Sequence, residues 1–113
     1  MRELFVGIDS ETNSTKSLVV DAKNAKVLGS AQRGYGLIGG LPPGAKEQHP
    51  ESWRKATAAT IKAALKEAKA TAAEVNGIGV SGQQHGFVPL DAKGGVIRPA
   101  KLWCDTTTSG ECD

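Results

Sequence analysis

Two stretches of this 113-residue chain carry residue types and spacings that could do chemistry. In residues 9–16, Asp9 and Lys16 bracket a run of small hydroxyl and amide residues that includes Thr12, Asn13 and Ser14, interrupted by Glu11. A tight turn of such residues can aim backbone N–H groups at phosphate oxygens. An aspartate at a strand end can hold Mg²⁺, through water because that ion keeps much of its hydration shell, and a lysine across the turn offers a positive point charge. The stretch is neither a Walker loop nor a GxGxxG, so by itself it reads equally well as an ordinary polar hairpin. The second stretch, Ser81-Gly82-Gln83-Gln84-His85-Gly86, sets amide and imidazole groups able to bond ligand hydroxyls beside glycines that let backbone approach closely. A lone histidine is more often structural than a ligand.

The elements that must hold these stretches follow from periodicity. Residues 4–8 form a short apolar run ending at Asp9, seven polar residues follow, and the run Ser17-Leu18-Val19-Val20 comes next, which predicts strand, loop, strand. Residues 21–26 are a turn by composition, with Asp and Asn supplying local hydrogen bonds, and residues 27–32 complete an antiparallel meander. Residues 34–48 hold five of the fourteen glycines plus Pro42-Pro43, so this segment is expected to be irregular. Pro50 suits a first helical turn and Glu51 the positive end of its dipole, while Trp53, Ala56, Thr57, Thr60, Ile61, Ala64, Leu65 and Ala68 recur at helical spacing. Trp53 is assigned to the core on that pattern. Residues 75–80 predict a strand crossing back onto the same sheet, and residues 87–90 and 96–97 flank a second hairpin turn at 91–95.

Composition excludes several classes. The formal charge of +2 comes from interspersed Lys, Arg, Asp and Glu, with no basic stripe that would argue for nucleic acid. No apolar run approaches the roughly 20 residues that cross a bilayer, and the first residues lack a signal-peptide core, so a cytoplasmic protein without membrane contact is expected. Cys104 and Cys112 read as free thiols, and His49 and His85 lie too far from them in sequence to suggest a metal cluster.

The block from Gly7 to Lys16, then Glu47-Gln48-His49-Pro50-Glu51-Ser52-Trp53, then the block from Gly77 to Gly86, and finally Arg98-Pro99-Ala100-Lys101-Leu102-Trp103-Cys104-Asp105 together resemble the FGGY carbohydrate kinases, and within them the xylulose kinases. The resemblance implies an α/β fold of the ribonuclease H-like, actin-like ATPase type, with a mixed β-sheet in which three antiparallel strands precede a helix and a returning strand. It implies transfer of the ATP γ-phosphoryl group to D-xylulose to give D-xylulose 5-phosphate, with Mg²⁺ required. It places Asp9, Thr12, Asn13, Ser14 and Lys16 on ATP and Mg²⁺, with Asp9 the metal residue through water, and Gln84 and His85 on the sugar. Residues 1–113 would then be part of an amino-terminal kinase domain, the rest of that domain and a second domain lying outside them. The catalytic base would be an aspartate downstream, so residues 1–113 alone are expected to be inactive and marginally stable. Two alternatives stay open: a kinase for another sugar or polyol, and a noncatalytic sugar- or nucleotide-binding homologue. A homodimer is compatible with any of the three.

One residue departs from the resembled pattern, which typically has glycine where this chain has Glu11. If that position required positive φ, a side chain would add about 1 to 2 kcal/mol of strain. A carboxylate near polyphosphate would add repulsion of roughly 1 to 4 kcal/mol per close charge pair.

Overall fold

The computed structural model describes residues 1–112. Strands β1 (Leu4–Ser10), β2 (Ser14–Asp21) and β3 (Val27–Gly34) form the expected antiparallel meander, and β5 (Val75–Gly82) returns parallel to β1 after helix α1 (Pro50–Glu67). The sheet order is β3-β2-β1-β5. Strands β4 (Glu47–Gln48) and β6 (Ala100–Lys101) pair separately, and a short α2 covers Ser109–Cys112. Among the described residues, no helix is long and apolar enough to cross a membrane.

Alternation along the strands gives the sheet two unlike sides. Leu4, Val6 and Ile8 of β1 and Val19 of β2 are buried against Ala64 and Ala68 in and just beyond α1. The helix turns small residues to the sheet, Ala56, Thr60 and Ala64, one every four positions. This lets the backbones approach: an ideal Cβ on Gly29 would lie 2.2 Å from the carbonyl oxygen of Ala64. Because α1 lies across β2 and β3, it leaves Ile78 and Val80 of β5 exposed. Phe5, Gly7, Asp9, Lys16 and Leu18 point to the opposite side, which no element among the described residues covers.

Residues 9–16 are mostly strand, not loop: Asp9 pairs with Lys16 and Ser10 with Thr15, so only residues 11–13 lie outside the ladder. The polar residues hid the strand because one of their hydroxyls, that of Thr15, faces the core as the Ser17 hydroxyl does. Ser17 lies 2.7 Å from the Thr60 hydroxyl and Thr15 lies 3.0 Å from the Tyr35 hydroxyl, so neither buried group is left without a partner. The third strand likewise runs to Gly34, two residues past its expected end. The turn before it uses Asp21 and Asn24 as anticipated, their side-chain oxygens accepting from the N–H groups of Lys23 and Lys26. The second hairpin is reduced to a single bridge between Leu90 and Val96, closed by Asp91.

The β4–β6 pair is a clasp between the irregular segment and the chain's last third. The Glu47 carboxylate, nearly buried, is held by Arg98 at 2.7 Å and Lys101 at 3.2 Å, and both cations keep its pKa below the usual carboxylate range. Asp105 accepts from Thr107 and from the Lys46 N–H, which lowers its pKa strongly. Asp105 thus caps the turn that follows it through its bonds to Thr107.

Candidate functional site

The site begins at the carboxyl ends of two adjacent parallel strands, β1 and β5, where backbone direction leaves space for ligands. Asp9 and Ser81 are register partners across these strands, and the Ser81 hydroxyl donates to Asp9 Oδ1 at 2.7 Å. Lys16 is the partner of Asp9 on the other side, in β2. With Gly7, Leu18 and Gly79 these residues line an open cleft of about 560 Å³ on the uncovered side of the sheet. Gly7 and Gly79 form its floor, and neither would meet any atom within 4 Å if it carried a Cβ. The floor is thus bare backbone with space above it.

Glu11 lies in the hairpin tip beside Asp9. Its carboxyl group stands against that of Asp9, which raises the pKa of Glu11, while hydrogen bonding to Glu11 and Ser81 and the charge of Lys16 lower that of Asp9. Two carboxyl groups at close range cannot both ionise freely, so the pair favours retaining one proton. The backbone strain anticipated at Glu11 is absent, because the non-glycine residues with positive φ are Ala25, Lys69 and His85. What remains is charge. The Asp9 carboxylate, an oxygen donor, suits a hard divalent cation such as Mg²⁺ that keeps several waters.

A second, smaller cleft of about 290 Å³ lies past the end of β5, lined by Glu11, Thr12, Gln83, Gln84, His85 and Trp103. The structure therefore brings Gln84 and His85 together with Thr12, and Asp9 together with Lys16. Asn13 and Ser14 fall elsewhere: the Asn13 carbonyl accepts from the Tyr35 N–H at 2.9 Å, and the Ser14 hydroxyl accepts from Gln32 at 2.9 Å. His85 holds φ at 61°, a left-handed conformation that costs a non-glycine residue about 1 to 2 kcal/mol. Such strain persists where surrounding structure holds a side chain in a particular place.

Three contributors escaped the sequence reading. Trp53 is half-buried rather than core; it lines a third cleft with His85 and Gly86, and its indole N–H donates to Gln48 Oε1 at 2.9 Å. Trp103, largely exposed, donates to the Thr12 hydroxyl at 3.1 Å. Gln48 is 1% exposed and touches both stretches. A tryptophan placed against a polar tract, as in Trp103-Cys104-Asp105, was the one local signal available.

Comparison with known proteins places this geometry. The N-terminal domain of the FGGY family of carbohydrate kinases matches residues 4–113. A xylulose kinase of Haemophilus influenzae is 41% identical over 114 residues, 97% of this chain and 23% of that protein. Among solved structures, a xylulose kinase from Rhodospirillum rubrum superposes with a TM-score of 0.85 at 27% identity, over 96% of this chain and 22% of that one. A gluconate kinase from Lactobacillus acidophilus reaches a TM-score of 0.87 at 22% identity, covering 98% of this chain and 22% of that one, which is likeness of fold alone. The chain spans about a fifth of the length of the relatives it matches. Its architecture is that of the sugar kinases of the actin-like ATPase type, with a mixed sheet of three antiparallel strands, a helix and a returning strand.

Proposed function

The chain belongs to the FGGY family of carbohydrate kinases, and on that premise we propose that it is the front portion of an enzyme that phosphorylates D-xylulose with ATP. The observation that carries this reading is the pairing of two clefts across one hairpin tip: Asp9, Lys16 and Ser81 on one side, Gln84, His85 and Trp103 on the other. The likeness to xylulose kinases along nearly the whole chain supports the choice of sugar.

In this reading the bare floor at Gly7 and Gly79 lets phosphate oxygens approach backbone, and Lys16 supplies positive charge to them. Asp9 would hold Mg²⁺ through water, and that ion when bound would offset phosphate charge as the γ-phosphoryl group moves. Gln84 and His85 would bond hydroxyls of the open-chain sugar. A hydroxyl oxygen of D-xylulose forms the new bond to the γ-phosphorus, the bond to the bridging oxygen of ADP breaks, and the hydroxyl proton passes to a carboxylate. We assign that base to a position outside residues 1–113. Asp9 is committed to Ser81 and Lys16 within the phosphate-side cleft, where a metal role suits it better. Thr12, Asn13 and Ser14 would then shape the hairpin that borders the nucleotide, and residues 1–113 would form part of the N-terminal kinase domain.

The test is an ADP-release assay on the protein with D-xylulose, ATP and Mg²⁺, compared with other ketoses and polyols. Turnover that prefers D-xylulose supports the reading, and preference for another sugar replaces the substrate. One observation favours a second reading: the Glu11 carboxyl beside Asp9 would repel polyphosphate, as expected of a noncatalytic binding protein. Sugar binding without turnover would select it. By calorimetry, Glu11→Gly is expected to bind MgATP more tightly than the parent protein, and equal affinities would remove Glu11 from the account.

A further inference from the structure

The Gln48 side chain lies at the junction of the two clefts and lines neither. It is 1% exposed, and its amide uses its full hydrogen-bonding capacity of two donors and two lone pairs. Nε2 donates to the backbone carbonyl of Thr12 at 2.6 Å and, more weakly, to that of Gly36 at 3.5 Å. Oε1 accepts from the indole N–H of Trp53 at 2.9 Å and from Gln83 Nε2 at 3.4 Å. The orientation is forced, because a carbonyl oxygen can only accept and an indole N–H can only donate; a flipped amide would lose both strong bonds. Gln83 closes the circuit, since its Oε1 accepts from the Thr12 hydroxyl at 3.3 Å, the same hydroxyl that receives the Trp103 indole N–H.

The consequence is mechanical. The hairpin tip that follows Asp9 and the strand end that precedes Gln84 and His85 are 71 residues apart at Thr12 and Gln83. They are tied to one buried amide, which is itself held by the first turn of α1 and by the β4–β6 clasp. A buried amide that loses a partner costs more than the bond was worth, so the four partners move together or not at all.

We propose that Gln48 is a positioning residue that fixes the hairpin tip after Asp9 relative to the strand end before Gln84 and His85, so that occupancy of one cleft is felt at the other. This rests on the kinase reading above. Gln48→Met keeps an unbranched side chain of similar volume and removes all four bonds. Gln48→Glu keeps an acceptor for Trp53 and withdraws the donor from Thr12.

The experiment measures steady-state phosphorylation of D-xylulose by MgATP for the protein and both variants, together with D-xylulose affinity with and without ADP. For Gln48→Met the expected result is a rise of about 10-fold in KM for both substrates, although Gln48 reaches neither cleft, and loss of any effect of ADP on sugar affinity. For Gln48→Glu a smaller rise, about 3-fold, is expected in both KM values, because the Thr12 that loses its donor follows Asp9 in the hairpin and also lines the sugar-side cleft. A merely structural role would lower the amount of folded enzyme and kcat per total protein while leaving both KM values and the effect of ADP unchanged; that result overturns the proposal. Should Gln48→Met fail to fold, Gln48→Glu decides by the same split, and the Trp53 indole N–H resonance of the unmodified protein decides again: it should shift on adding MgADP, and an unmoved resonance at saturation overturns the proposal. Absence of turnover by the unmodified protein would instead remove the kinase reading and this inference with it.

Discussion

On the helix side of the sheet an ideal Cβ at Gly29 would sit 2.2 Å from backbone, while on the opposite side the same addition at Gly7 or Gly79 meets nothing within 4 Å. The helix side has its polar groups consumed: Ser17 against Thr60, Thr15 against Tyr35. The open side carries Asp9 with the Glu11 carboxyl group beside it and Lys16 across the strand. One sheet therefore spends its small residues in two ways. At Gly29 smallness seats a helix; at Gly7 and Gly79 it keeps a floor clear. The lesson is that the same residue type, glycine, admits a helix on one side of the sheet and leaves bare backbone on the other.

The sharpest way to break this contrast is to add the same kind of bulk on each side. Gly29→Val is expected to cost about 3 kcal/mol of stability, since the obstruction is backbone that cannot rotate away. Denaturant unfolding checks this, and an unchanged midpoint would mean that α1 does not seat there. Gly79→Ala on the open side should leave stability within about 0.5 kcal/mol. It should weaken MgATP binding about 10-fold in calorimetry, as one displaced close approach would. If Gly79→Ala instead unfolds the protein and spares nucleotide binding, the two sides have been assigned the wrong roles.

Charge sharpens the comparison further, with smaller effects of opposite sign. Glu74 is hydrogen-bonded by Arg2 and by the Thr71 N–H, which brings its pKa down to about 2, and Glu47 and Asp105 in the clasp are lowered as well. These groups contribute stability above the ordinary carboxylate range that is lost as pH falls through their folded-state values, so thermal midpoints should drop steadily from about pH 4.5 toward pH 2. Glu11 is raised, so its favourable contribution is present below its ordinary value and lost as pH rises through the folded-state value. Glu11→Gln should therefore be slightly more stable than the parent at pH 7 and lose that advantage in acid. An advantage that instead grew in acid would contradict the Asp9–Glu11 contact.

How much of this was visible beforehand depended on the range of the interactions. Helix α1 was legible because its stripe, Ala56 to Thr60 to Ala64, is written in local spacing, and Pro50 marked its start where the structure has it. The turn at residues 21–26 was legible because Asp21 and Asn24 bond two positions onward. The extent of β1 and β2 was not, since Ser14, Thr15 and Lys16 are polar types and the buried Thr15 finds its partner, Tyr35, 20 residues away. Trp53 misled for a related reason. Its spacing matched the buried stripe, but it lies in the first turn of α1, where its ring reaches the rim of a cleft and its N–H finds Gln48. Asp9 and Lys16 could be nominated from sequence blocks, and their strand pairing brings them into one cleft. Gln48 could not, because its part depends on Thr12 and Gln83, 36 and 35 residues distant.

The most direct test of the central claim, that the uncovered side at Asp9 serves the nucleotide and the strand end beyond it serves the sugar, is the steady-state kinetics of Asp9→Asn. The substitution keeps the shape of the side chain and an oxygen for Ser81 while removing the charge meant for Mg²⁺. The expected result is a fall of at least about 100-fold in kcat/KM for MgATP-dependent phosphorylation of D-xylulose, with D-xylulose affinity and thermal stability unaltered. Undiminished turnover by a folded Asp9→Asn protein would contradict the account.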